Sequence, residues 1–267
     1  MIESSHVRLR DLFVDVPGCR FVGSDAVEIS TLSYRSDQVG EGALFFCVPG
    51  FVRDGHDFAA DAVGRGAVAL CVEHPLELPV SQAVVPSVRE AMGPVAAAFY
   101  GRPSSRLLTV GITGTNGKTT SAFLVAHLLE RAGFQAGLMG TVERRIGGRR
   151  LEAERTTPEA VDIQSNLAAM VQSGDRAVVM EVSSHALDLG RTRGIDFRVI
   201  AFTNLTQDHL DYHQTLEAYF AAKSRLFFDE TYQRAEPAAV LNIGDPFGAR
   251  LAASYPRERL LTYASTS

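Results

Sequence analysis

The sequence predicts an α/β protein in two parts: a small N-terminal α/β domain, then a mostly parallel sheet flanked by helices. Three observations predict it. From residue 107 onward, strand-sized apolar runs alternate with helical stretches, the pattern of a parallel sheet covered by helices. Between the first such strand and its helix stands the Gly-rich run T-G-T-N-G-K-T-T, Thr113 to Thr120. Ahead of it, residues 1–103 read as a shorter unit closed by G-R-P-S-S-R, Gly101 to Arg106, a linker by composition. The expected boundaries are therefore 1–103 and 104–267.

In the first part, Val27–Tyr34 and Ala43–Val48 read as strands, with Gly40 and Gly42 turning between them. Phe58–Gly64 reads as a helix leading into the apolar strand Ala67–Val72, and Val88–Tyr100 as a second helix. In the second part, Leu107–Ile112 is a buried strand, Lys118–Ala132 an amphipathic helix and Gln135–Gly140 the next strand. Residues 142–154, centred on Gly147-Gly148, read as a hairpin, and Pro158 suits the first turn of a helix running to Val171. Ala177–Val182 and Val199–Thr203 are strands that end in polar residues, and Leu216–Phe228 is a helix. Ala238–Asn242 and Leu260–Tyr263 are later strands, with a helix near 246–254 between them. Chemistry in such sheets gathers at the carboxyl ends of the strands. Here those ends carry the Gly-rich loop, Glu181 with Ser183-Ser184-His185, and Asn204 with Asp208-His209, so one polar rim is expected.

Composition narrows the class. A net charge of -5 argues against a nucleic-acid partner held through phosphates. The polar start, Met1 to Leu12, shows no secretory pattern, and the longest apolar runs are strand-sized, so no membrane partner is expected. Cys19, Cys47 and Cys71 are odd in number and not spaced as metal pairs, which fits a reduced cytoplasmic setting. Of the 26 lysines and arginines, only Lys118 and Lys223 are lysines. A sequence that uses Arg almost everywhere keeps Lys where a slim ammonium, or a deprotonatable amine, is required; the alternative is codon bias and chance.

The loop after strand 107–112 offers free backbone N–H groups and a helix N-terminus, a phosphate site or P-loop. Gly114 and Gly117 let the backbone approach oxygen atoms, Lys118 neutralises phosphate, and the Thr119 hydroxyl suits Mg²⁺. The usual first glycine of such loops is replaced by Ile112, with Gly111 one residue early.

The string G-I-T-G-T-N-G-K-T-T resembles the loop of the muramyl ligases. M-E-V-S-S-H (Met180 to His185), F-T-N-L-T-Q-D-H-L-D-Y-H (Phe202 to His213) and A-A-K (Ala221 to Lys223) follow in that family's order. G-F-V-R-D-G-H-D-F (Gly50 to Phe58) resembles the first domain of members that attach the third amino acid to UDP-MurNAc-L-Ala-D-Glu. The resemblance implies an ATP-dependent amide ligase acting through an acyl phosphate. Its ATP site would be Gly114, Thr115, Asn116, Gly117, Lys118, Thr119, Thr120 and Ser121. Thr119, Glu181, His209 and Lys223 would hold Mg²⁺, with Lys118, His209 and a carbamylated Lys223 in catalytic roles. Ser36, Thr156, Thr157, Ser183 and Arg191 would contact the UDP-MurNAc-dipeptide, and the incoming amino acid would be diaminopimelate or L-lysine. The family's Y-D-S-R appears as Tyr34-Arg35-Ser36-Asp37, with the charges exchanged. Members continue into a third domain, so the chain is expected to be a truncated form, its central domain incomplete. A cytoplasmic monomer is expected.

Blander readings stand beside these. Second to the functional readings, Glu181 also reads as a solvated carboxylate, the Asp208–Asp211 run as a helix cap, and Lys223 as a helix-surface lysine. The hairpin arginines Arg144, Arg145, Arg149 and Arg150 read first as a solvated surface and second as a guide for the UDP substrate, and His127 as structural. The rival functions are a folate polyglutamylating ligase, a non-catalytic nucleotide or UDP-sugar module, and a generic P-loop kinase or GTPase.

Overall fold

In the computed structural model, which describes residues 6–50, 52–153, 155–232 and 236–264, the chain divides into two units, Met1–Arg102 and Pro103–Ser267. The first is built on a five-stranded sheet in the order Arg20–Val22, Ser81–Val84, Ala67–Val72, Ala43–Phe46, Thr31–Ser33. Only the edge pairing of Arg20–Val22 with Ser81–Val84 is antiparallel. Phe45, Cys47, Ala62, Leu70 and Val72 form its core.

The structure departs from the sequence reading in this unit and at the start of the next. The single strand expected at Val27–Tyr34 is two: Glu28–Ile29 pairs with Val7–Arg8, and Thr31–Ser33 pairs with Ala43–Phe45. Ser30 is the crossover, where its N–H bonds the Gly42 carbonyl and its hydroxyl the Glu41 carbonyl. The strand Ser81–Val84 escaped notice because it buries Ser81 and Gln82; the Gln82 amide is satisfied by both backbone groups of Leu76. The expected linker is packed: Pro103–Arg106 is a 3₁₀ turn with Pro103 and Ser104 buried, and the Ser104 hydroxyl accepts from the Asp196 N–H.

The second unit holds an eight-stranded sheet. Its order is Arg149–Glu152, Glu143–Ile146, Ala136–Met139, Ala177–Glu181, Leu108–Thr113, Val199–Phe202, Ala238–Asn242, Leu260–Tyr263. The hairpin strands at one edge are antiparallel and the rest parallel. Gly147 and Gly148 take positive φ at the hairpin tip, as a tight two-residue turn demands. Helices cover both faces. On one, Ala122 and Ala126 of the helix Lys118–Arg131 meet Val110, Ile112, Leu138 and Val179. On the other, Ile163, Leu167 and Met170 of the helix Ala160–Gln172 and Leu226 and Phe227 of Leu216–Phe228 pack on Val178, Met180 and Phe202. Gly111 lies in the strand, not the loop, and a Cβ there would come 2.7 Å from the Phe197 ring. Its role is packing.

Two further expectations are corrected. Pro158 lies outside its helix, which starts at Ala160 with Glu159 as N-cap. His127 is exposed, because the helix turns Ala122 and Ala126 to the sheet and leaves Leu124, His127 and Leu128 outward. Among the described residues no helix is long and apolar enough to cross a membrane.

Candidate active site

Sheet order builds the site. The strand Leu108–Thr113 lies between Ala177–Glu181 and Val199–Phe202, all three parallel. Their carboxyl ends therefore deliver the Gly-rich loop, Glu181 and the segment Thr203–His209 side by side. The loop is clasped from the third strand. Thr203 Oγ1 donates to the Asn116 carbonyl at 2.7 Å, Asn204 Oδ1 accepts from the Asn116 N–H at 2.9 Å, and the Thr115 N–H bonds the Asn204 carbonyl at 2.8 Å. Gly114 is required here, since its φ is +145° and a Cβ would overlap Thr203 Oγ1. Gly117, at φ +83°, caps the helix that starts at Lys118. Thr119, Thr120 and Ser121 fill its first turn, where the backbone N–H groups attract anions.

Lys118 folds back over the loop, its Nζ donating to the carbonyls of Gly114 at 2.9 Å and Thr115 at 2.8 Å. Lys223, only 1% exposed, donates to the same Gly114 carbonyl at 2.8 Å. Its ammonium also lies 4.5 Å from the centre of the Tyr219 ring. Burial and then the Lys118 charge push the Lys223 amine well below its ordinary value, against the pull of Asp208. Burial likewise lowers Lys118, opposed by Glu181 and Asp208. The surface-lysine reading of Lys223 is thereby excluded.

Glu181 is buried too, at 1% exposure, so the solvated-carboxylate reading fails. The Thr119 hydroxyl donates to its Oε2 at 2.8 Å. Next to it Thr157 Oγ1 donates to the Glu181 carbonyl at 2.9 Å and accepts from the Ser183 N–H at 3.1 Å. Arg191 completes this side, Nη1 donating to the Thr157 carbonyl at 3.2 Å and Nη2 pairing with Glu159 at 2.9 Å. Thr156 reaches the same group through Thr141, the two hydroxyls 3.1 Å apart. Thr156, Thr157, Ser183 and Arg191 thus lie together beside Glu181.

His209 lies among aromatic rings. It takes left-handed φ of 51° as N-cap of the short helix Leu210–His213, its ring 6.0 Å from that of Tyr219 and 4.9 Å from that of His185. Its nearest charged neighbour is Asp208 at 3.5 Å. Among the described residues no cluster of three or more His, Cys, Asp or Glu side chains could hold a metal. Thr119 and Glu181, two hard oxygen donors at one spot, do fit the chemistry of Mg²⁺. Ser36 belongs to the first unit, half-buried in the 3₁₀ turn Ser36–Gln38, where Arg35 and Asp37 pair with each other at 2.9 Å.

Sequence reasoning missed Tyr219, whose hydroxyl lies 3.3 Å from that of Thr115 and whose ring faces His209, His213 and Lys223. Its position four residues before Lys223 on one helix was the available signal. It also missed His213, buried with Nε2 2.9 Å from Ser184 Oγ, and Thr141. The hairpin arginines are not uniformly solvated. Arg145 is 14% exposed and paired to Glu130 at 2.7 Å and Glu143 at 2.9 Å, while Arg144 bonds Asn166 at 3.2 Å. Arg149 and Arg150 are exposed.

The chain is similar to known proteins over most of its length. Residues 112–267 match the family model described as the Mur ligase middle domain, and residues 28–100 that described as the Mur ligase family catalytic domain. A UDP-N-acetylmuramoyl-L-alanyl-D-glutamate–2,6-diaminopimelate ligase of Geobacter metallireducens is 47% identical over 253 residues, covering 92% of this chain and 49% of the relative. The same-named protein of Geobacillus thermodenitrificans is 48% identical over 243 residues, covering 90% and 50%. A solved structure of a ligase of that name superposes with a TM-score of 0.80 at 27% identity, over 98% of this chain and 53% of the other. The chain spans about half the length of the curated relatives it matches.

Proposed function

The chain belongs to the Mur ligase family, and on that premise we propose that the protein containing it joins the third amino acid to UDP-MurNAc-L-Ala-D-Glu at the expense of ATP. The observation that carries the reading is the meeting of Lys118 and Lys223 on one loop carbonyl, with Thr119 bonded to Glu181 beside them. In this reading the D-Glu carboxylate attacks the γ-phosphate of ATP, ADP leaves, and the amine of the amino acid displaces phosphate from the acyl phosphate. Diaminopimelate is the amino acid favoured by the names of the relatives.

Each residue has a part. The backbone N–H groups at the start of the helix Lys118–Arg131 and the Lys118 ammonium would cradle the phosphates, positioning them and neutralising charge. Thr119 and Glu181, with His209, would hold Mg²⁺, which supplies further neutralisation of the phosphate oxygens when bound. Arg191, its guanidinium already fixed by Glu159, would read a substrate carboxylate or diphosphate with Thr156, Thr157 and Ser183. Ser36 would contact the uridine end from the first unit. Burial keeps the Lys223 amine ready to lose its proton. The neutral nitrogen then forms an N–C bond to CO₂ and releases a proton, which yields a carbamate and converts a cation into an anionic ligand. The same reading puts the reaction in the cytoplasm, with the protein acting as a monomer.

The test is phosphate release from ATP by the full gene product. Release should require both UDP-MurNAc-L-Ala-D-Glu and meso-diaminopimelate, with L-lysine in a parallel arm, and Lys118→Met should abolish it. ATP binding without turnover under all of these conditions would leave a nucleotide-binding module in place of the ligase.

A further inference from the structure

The Glu181 carboxylate is held by more than the loop. Thr141, just beyond the strand Ala136–Met139, reaches both of its oxygens: the backbone N–H donates to Oε1 at 2.9 Å and the hydroxyl to Oε2 at 3.1 Å. The chain is shaped for this approach, because a Cβ on Gly140 would overlap Glu181 Oε1. Thr119 supplies the third donor. Among the described residues no cation bonds this carboxylate directly, and three neutral donors hold a charge that is almost wholly out of water.

From this geometry we infer that Thr141 is a positioning residue, aiming Glu181 at the bound metal and linking it to the substrate side of the site. The Thr141 hydroxyl has one proton. Since it goes to Glu181, the 3.1 Å contact with Thr156 must run the other way, Thr156 donating to Thr141. A directed chain results, Thr156 to Thr141 to Glu181, from a residue assigned to the acyl substrate to one assigned to the metal. Thr119 and Glu181 would both be engaged by a bound cation, and Thr141 is the anchor that touches Glu181 without being assigned as a ligand itself. Thr141 is exposed, so its hydroxyl packs no core and its removal should leave the fold intact.

This rests on the proposed role of Glu181 as a metal ligand, and the experiment separates the two. Mn²⁺ binding to the full gene product with ADP bound is followed by electron paramagnetic resonance, and ADP binding in EDTA by calorimetry. Outer partners of a metal ligand commonly set affinity by about tenfold or more. Thr141→Ala should weaken Mn²⁺ by about that factor, leave metal-free ADP binding within about twofold, and be rescued by Thr141→Ser. Equal Mn²⁺ affinity in Thr141→Ala and wild type would overturn the inference alone. Parallel loss of Mn²⁺ and metal-free ADP binding, or failure of the serine variant to rescue, would also overturn it. If the wild type itself bound no Mn²⁺ with ADP, the metal role of Glu181 would fall first.

Discussion

Lys118 and Lys223 place their ammonium nitrogens on a single acceptor, the Gly114 carbonyl oxygen, at 2.9 and 2.8 Å. A carbonyl has two lone pairs and can accept both, but the two cations repel. Burial first, and the Lys118 charge second, lower the folded-state affinity of Lys223 for a proton.

Replacing that buried cation should therefore stabilise the fold. In CO₂-free buffer, where the amine is not carbamylated, Lys223→Met is expected to raise unfolding free energy by about 1 kcal/mol near neutral pH, since exchanging buried charge for an apolar side chain of similar volume is often stabilising, while abolishing ligase activity. The pH dependence follows from the direction of the shift. The folded amine binds its proton less tightly than the unfolded one, so the penalty is complete below the folded value. It fades as pH climbs toward 10.5, the ordinary lysine value. Urea titrations of both proteins should show the gap closing with rising pH; a gap that widens would reverse the sign.

Gly114 and Gly117 should respond differently to alanine. At Gly114 the new Cβ meets Thr203 Oγ1 and lies 3.1 Å from the Asn204 backbone, whereas at Gly117 nothing lies within 4 Å. Gly117→Ala should cost about 1 kcal/mol, the penalty of left-handed φ. Gly114→Ala should cost about 3 kcal/mol and lose nucleotide binding. Equal thermal shifts for the two would contradict the clasp between the loop and Thr203.

Arg145 is predicted to be structural. Its removal leaves Glu143, 13% exposed, with the longer 3.6 Å pairing to the exposed Arg150, and unties the hairpin from Glu130 on the helix Lys118–Arg131. Arg145→Ala should lose about 1–2 kcal/mol, between the values for exposed and buried pairs, and Arg149→Ala should lose almost nothing. Chemical denaturation of both variants decides it.

The thiols should be sluggish. Burial pushes Cys47 up to about 12 and Cys19 up to about 11, and Cys71 well above its ordinary value. At pH 8 the Cys19 thiolate is then about one part in a thousand, and the thiolate is the reactive form. Iodoacetamide labelling read by mass spectrometry should find Cys19 slow, gaining about tenfold per pH unit, and Cys47 and Cys71 blocked until the protein unfolds. Rapid labelling of Cys47 at pH 8 would show an opening the fold does not suggest.

Elements with a strong local pattern were legible from residues alone. The helix Leu216–Phe228 and the strands Ala67–Val72, Ala238–Asn242 and Leu260–Tyr263 stand where periodicity puts them. Errors arose where a distant partner overrode the local signal. Ser30 divides an apparent strand because its two ends join different sheets, Gln82 is tolerated in a buried strand because Leu76 satisfies its amide, and Ser104 is packed because the Asp196 backbone needs an acceptor.

The sequence by itself determined the alternation of strands and helices, the Gly-rich loop with its lysine and the family motifs in order, because each is written in neighbouring residues. Only the tertiary structure decided that Lys223 meets the Gly114 carbonyl across a separation of 109 residues, that Glu181 is buried against Thr119 and Thr141, and that the His209 ring meets those of Tyr219 and His185. The reason is physical. Local pattern specifies dihedral angles and which face is apolar, whereas the order of strands in a sheet, and so which carboxyl ends become neighbours, is settled by how the helices and strands bury one another.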